Sequence, residues 1–296
     1  MKIKLITFGL LSTFLMLALL IFGLDAALRI NLAQYNKEIY NEYLELLKNP
    51  LIKNKEASFY IARNPIPLIF MRNIGGWVMP LTGTVYLSPD LDFKDRVCLV
   101  YIMAHELGHR ELNHHLKWPG DFRNYEFEAD FFALKLLGYD YIEYLSHFRP
   151  KKEKAIAAYK QYLREERPPF EYVSKSHYQI CKSLEGSSLF TKKGTVFTLG
   201  SDPRVIGSFV KRDRADNIEN IVYIELETLD SPHFKSSIAH ELGHIQYNTL
   251  DHAAADRFAC ALVSRERVLA WLYSYQTNAN VDQENLSQRI RALVKR

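Results

Sequence analysis

Leu5 to Leu24 is nearly continuous apolar sequence, preceded by Lys2 and Lys4. Twenty residues of helix cover about 30 Å, the thickness of a bilayer core, so the pattern predicts a transmembrane helix over 1–24. The two lysines put the N-terminus in the cytoplasm, with the remainder of a single-pass protein extracytoplasmic. The alternative is a cleaved signal sequence and a secreted product. An apolar core of about 7–15 residues is usual for such a signal, and no small-x-small pattern precedes Asp25.

After this stretch the pattern becomes amphipathic. Tyr40, Tyr43, Leu44 and Leu47 recur at helical spacing, and the helix expected from residue 25 ends at Asn49-Pro50. Residues 59–87 hold short β-prone runs cut by Pro65, Pro67, Gly75-Gly76, Pro80 and Gly83, with Val85-Tyr86-Leu87 the clearest strand. Helices are predicted over 92–115 and 125–138, separated by Trp118-Pro119-Gly120-Asp121, and a charged helix over 151–167 stops at Pro168-Pro169. The plan then restarts: a helix, strands over 195–199 and 221–224, helices from about His233 and about Asp251, and a basic helical segment over 281–296. The expected organisation is an anchor or signal at 1–24, a juxtamembrane helix at 25–54, and two units at 55–168 and 169–296. The expected fold class is α+β, a transmembrane helix followed by two tandem helix-rich units with small sheets.

The restart is a duplication. His105-Glu106-Leu107-Gly108-His109 recurs as His240-Glu241-Leu242-Gly243-His244, and Ala129-Asp130 recurs as Ala255-Asp256. Ala129, Phe132, Ala133, Leu136 and Leu137 form an i, i+3, i+4, i+7, i+8 stripe, as do Ala255, Phe258, Ala259, Leu262 and Val263. These residues are expected to be core. The histidines carry chemistry. Four residues apart on a helix, each pair presents two imidazoles to one Zn²⁺, with the intervening glutamate beside the metal as proton acceptor.

A catalytic zinc takes three protein ligands and a water. In the first half Glu126 is the expected third ligand, four residues before Asp130 and on the same helix face, leaving Asp130 to orient a ligand imidazole. Glu128 lies elsewhere on that helix. His114 and His115 lack the glycine that a third ligand so close behind the motif would need, Leu112 standing in its place. In the second half the position four before Asp256 is His252, giving His240, His244 and His252, with Asp251 as the carboxylate alternative. Glu106 and Glu241 are the expected catalytic bases. The strand ahead of each motif helix is expected to offer an edge to an extended substrate.

Composition adds exclusions. A net charge of +4 with dispersed basic residues gives no support to nucleic-acid binding. Three separated cysteines form no disulfide framework.

A His-Glu-x-x-His helix followed by Glu126-x-x-Ala129-Asp130 resembles the HtpX-like gluzincin metallopeptidases. The resemblance covers roughly 85–138 and, more weakly, 221–264. It implies zinc on His105, His109 and Glu126, Glu106 as base, Asp130 behind the ligands, and endopeptidase activity on protein or peptide substrates, often in protein quality control. The tandem arrangement and His252 depart from that pattern. The alternative reading is a catalytically degenerate zincin module, in one or both halves, acting in partner binding or regulation.

Overall fold

The computed structural model describes residues 16, 23, 29–55, 59–62, 75–79, 82–88, 91, 95–117, 121–148, 152–200, 208–212, 218–278 and 281–295. Among these residues no helix is long and apolar enough to cross a membrane. The longest, Arg96–Glu111 and Phe122–Leu137, have 16 residues each and carry charges. At 1.5 Å per residue that is about 24 Å, short of a bilayer core. The stretch expected to form the transmembrane helix lies, apart from 16 and 23, outside the described residues. The expected architecture is therefore corrected. Among the described residues the chain is mostly helical with two small sheets, and no transmembrane helix is shown.

The chain divides into two units, residues 1–137 with 141–158, and residues 138–140 with 159–296. The later division falls inside the helix Glu153–Glu166, upstream of Pro168-Pro169.

In the first unit, β1 (Arg29–Asn31) pairs antiparallel with β2 (Phe59–Ala62). β2 runs parallel to β4 (Val85–Leu87), and β3 (Gly76–Val78) closes the sheet antiparallel to β4. The long helix expected from residue 25 does not form as one piece. Residues 29–31 pair in the sheet, and α1 (Lys37–Lys48) starts only after Asn36, whose side chain accepts from the N–H groups of Glu38 and Ile39. α2 (Arg96–Glu111) is capped by Asp95, which accepts from the Cys98 N–H at 2.9 Å. α3 (Phe122–Leu137) packs along α2. Val85, Tyr86 and Leu87 are fully buried, as expected of an interior strand covered on both faces, and Trp77 stacks on Tyr86 with ring centroids 5.2 Å apart. α4 (Asp140–Phe148) and α5 (Glu153–Glu166) follow.

The second unit repeats the plan. α6 (Lys175–Glu185) leads into β5 (Val196–Leu199), β6 (Ser208–Arg212) and β7 (Ile218–Ile224). β5 is parallel to β7, and β6 is antiparallel to it on the other side. This is the topology of β2, β4 and β3. α7 (Phe234–Tyr247) and α8 (His252–Leu262) then pair as α2 and α3 do, followed by α9 (Arg265–Ser274) and α10 (Gln283–Val294). The duplication therefore extends to the whole helix, three-strand and two-helix sequence. One expectation fails in both halves: β4 and β7 are interior, so the strand directly ahead of each motif helix has no free edge. Among the described residues the edge strand next to the first motif helix is β3.

Asp140 ties the start of α6 to its own segment. Ser174 and Ser176 donate hydroxyls to its carboxylate, and the Ser176 N–H donates at 3.0 Å. Burial pushes this carboxyl up, but His177 and these donors outweigh burial and hold it down at about 2. A depressed carboxyl stabilises the fold above its unfolded value near 3.8, and the contribution is lost as pH falls towards 2. After allowance for solvent it is worth about 1–2 kcal/mol. Between pH 5 and pH 2, urea midpoints of the parent chain should fall more steeply than those of Asp140→Asn. Parallel curves would remove Asp140 from the acid response.

Candidate metal centres

Each centre is built on a helix pair brought unusually close by one glycine. A Cβ on Gly108 would lie 3.1 Å from the Cα and the carbonyl oxygen of Ala129. A Cβ on Gly243 would lie 2.8 Å from the same atoms of Ala255. The Gly of the motif and the Ala before the aspartate thus let the two backbones touch. That contact brings the residue four before each aspartate opposite the two histidines.

In the first unit His105 Nε2 and His109 Nε2 are 3.1 Å apart, with the rings nearly perpendicular. Glu126 Oε2 lies 3.4 Å from His105 Nε2, and Glu126 Oε1 lies 3.3 Å from His109 Nε2. Behind them His105 Nδ1 is 2.8 Å from Asp130 Oδ1. Asp130 is itself held by the Tyr101 hydroxyl at 2.5 Å and the Lys152 ammonium at 2.5 Å.

In the second unit His240 Nε2, His244 Nε2 and His252 Nδ1 form a triangle with edges of 3.0, 3.1 and 3.2 Å. His240 Nδ1 lies 2.7 Å from Asp256 Oδ1, and His244 Nδ1 lies 2.8 Å from the Thr249 carbonyl oxygen. Asp256 is fully buried and receives both arms of the Arg289 guanidinium, at 2.7 and 2.8 Å. Trp271 packs against the His240 ring and beneath Arg289.

Both triangles have the dimensions of a zinc ligand set. Bonds of about 2.0–2.1 Å in tetrahedral geometry separate neighbouring ligand atoms by about 3.3 Å. The ring orientations agree. His244 Nδ1 is hydrogen-bonded to the Thr249 carbonyl and His240 Nδ1 lies 2.7 Å from Asp256 Oδ1, though outside hydrogen-bond geometry, and both rings turn Nε2 to the centre of the triangle. The donor set therefore fits a divalent, nitrogen-preferring ion.

The electrostatics of the two sites differ. Burial lowers His105, but Asp130, Glu126 and Glu106 outweigh it and raise the ring to about 9. Burial takes His240 down to about 3, because Asp256 offsets only part of the penalty and Arg289 adds to it. Burial raises both motif glutamates, Glu106 against the pull of His105 and His109, and Glu241 to about 8. Burial would raise Glu126, Asp130 and Asp256 too, but their imidazole and cationic neighbours hold all three below the usual carboxylate range.

The other candidates have different contacts. Asp251 caps α8, accepting from the Ala253 N–H at 2.9 Å. Glu128 reaches His114 Nε2 at 2.8 Å, and His114 Nδ1 lies 2.9 Å from His109 Nδ1. His115 packs against Gly83, a residue in the left-handed region at φ +65°. Among the described residues the two groups that gather metal-type donors are His105, His109, Glu126 and His240, His244, His252.

Comparison with protein-family models, with curated proteins and with solved structures finds no match for this chain. Sequence reasoning missed Lys152, Arg289, Tyr101 and the Thr249 carbonyl. The first three act across 22, 33 and 29 residues of chain, with no local spacing to reveal them. The Thr249 contact had a readable signal. Asn113 and Asn248, each four residues after the second motif histidine, both adopt left-handed backbone (φ 56° and 48°), which Asn tolerates better than most residues. The turn they make puts the next residue against that histidine.

Proposed function

We propose that the chain is a zinc-dependent endopeptidase that cleaves peptide bonds with water at the His105, His109 and Glu126 centre. The second unit is proposed to hold a companion zinc on His240, His244 and His252. The observation that carries this reading is the pair of three-donor triangles, each on a helix that also carries a buried glutamate. The motif's likeness to the gluzincin pattern supports the same assignment.

When bound, Zn²⁺ supplies Lewis acidity towards water and a scissile carbonyl. The protein supplies the rest. Asp130 and Asp256 keep the Nδ1 protons on His105 and His240, so their Nε2 atoms face inward. Glu106 accepts a proton from the attacking water and returns it to the departing amine. Its burial favours the protonated form and makes the carboxylate a better base. Gly76 of β3 leaves space for Glu106, since a Cβ there would lie 2.9 Å from Glu106 Cγ. The edge beside the base is therefore β3, and an extended substrate is proposed to pair there.

The second unit departs in chemistry. Its third donor is an imidazole, His252, where the gluzincin pattern has a glutamate. Cleavage is accordingly assigned to the first unit.

The test is a zinc count on the full chain. Two ions per chain are expected, falling to one in His105→Ala and to one in His240→Ala. No zinc in the parent chain, or an unchanged count in both variants, overturns the proposal.

A further inference from the structure

The inward face of His109 depends on what its outer nitrogen meets. In the second unit the equivalent His244 meets a backbone carbonyl, Thr249, five residues on, at 2.8 Å. In the first unit the residue five on is His114, and its Nδ1 stands 2.9 Å from His109 Nδ1. Both units reach this point through a left-handed Asn, Asn113 or Asn248. The same turn thus delivers a backbone acceptor in one unit and a side-chain nitrogen in the other.

A side-chain nitrogen can serve only if its own tautomer is fixed. His114 Nε2 lies 2.8 Å from Glu128 Oε2, and Asn124 donates to Glu128 Oε1 at 2.6 Å. A carboxylate only accepts, so His114 Nε2 carries the proton and His114 Nδ1 is left bare. His109 Nδ1 must then donate to it, which leaves the Nε2 lone pair available to an ion held with His105 and Glu126. The direction of every hydrogen bond follows from the single charge on Glu128. The His114 side chain is 4% exposed and stacks on Tyr125, with centroids 4.5 Å apart and planes 19° from parallel. The intermediate ring is therefore clamped as well as hydrogen-bonded.

We propose that His114 and Glu128 are positioning residues for the first centre, a two-member relay that fixes the His109 tautomer as the Thr249 carbonyl fixes that of His244. Neither touches the reacting atoms. The inference rests on the zinc reading for its consequence, while the tautomer itself can be read without metal.

Two measurements test it. The first is the ¹⁵N signature of the His109 ring in the metal-free full chain, by long-range proton–nitrogen correlation. A protonated Nδ1 is expected in the parent chain, and a bare Nδ1 overturns the relay without reference to zinc. The second is zinc affinity at the first centre, by chelator competition. His114→Phe keeps the stack on Tyr125 and removes both nitrogens, and should weaken zinc by about 10- to 100-fold. Glu128→Leu should weaken it in the same direction. His114→Gln, with an amide oxygen to accept and an amide nitrogen to donate, should restore affinity to within about threefold of the parent. Parent-like affinity in both His114→Phe and Glu128→Leu overturns the relay. Failure of the parent chain to bind zinc overturns the metal assignment instead, and the ring signature still decides the relay.

Discussion

Glu106→Gln should reduce hydrolysis of casein by about 10² to 10⁴-fold while leaving both zinc ions in place. The amide is nearly the shape of the carboxyl it replaces, so the site should stay assembled. What is lost is the group that takes a proton from water and passes it on. Glu241→Gln should retain most of the activity, because the second unit is assigned no cleavage. This comparison separates the two halves without disturbing either ligand set. Full activity in Glu106→Gln, with loss in Glu241→Gln, would move cleavage to the second unit. Full activity in both would end the hydrolase assignment.

The largest effect on stability is expected at Arg289. Asp256 is fully buried, and its two oxygens face a guanidinium fork and the His240 ring. Removing the fork leaves a carboxylate in a low-dielectric interior with one neighbour, and breaking such a pair costs about 3–5 kcal/mol. Arg289→Met should therefore destabilise the second unit by about 3 kcal/mol in urea unfolding with a chelator present, so that metal linkage does not contribute. Adding Asp256→Leu should recover part of the loss, because the stranded charge goes with it. Lys152→Met should cost less, since the Lys152 side chain is 20% exposed and Asp130 keeps the Tyr101 hydroxyl. A loss below about 0.5 kcal/mol in Arg289→Met would mean that water reaches Asp256 and that the pair contributes little.

The donor sets were legible because each is local. Two histidines four apart need only a helix, and the position four before each aspartate needs only a second helix alongside. Glu126 and His252 were read in this way. The repeat was legible for the same reason, although the sequence showed only its central part. Strand order was not legible: Val85-Tyr86-Leu87 reads as a buried strand, but nothing in three residues says that β2 and β3 flank it. The helix expected from residue 25 shows the same limit, since Arg29–Asn31 is strand only because Phe59–Ala62 lies beside it. The transmembrane helix was read from apolar length alone, and no described helix has that length and character. Lys152 and Arg289 were hidden because the buried aspartates they hold give no sign in the sequence of which distant cation will answer them.

The contacts at Gly108 and Gly243 set a rule for how such a centre can diverge. With backbone against backbone, the distance from the paired imidazoles to the opposite helix has no side chain left to adjust it. Widening the triangle would mean prying the hairpin open, and narrowing it is sterically barred. A copy of this unit can exchange the identity of the third donor, oxygen for nitrogen, while the vertex itself stays where it is.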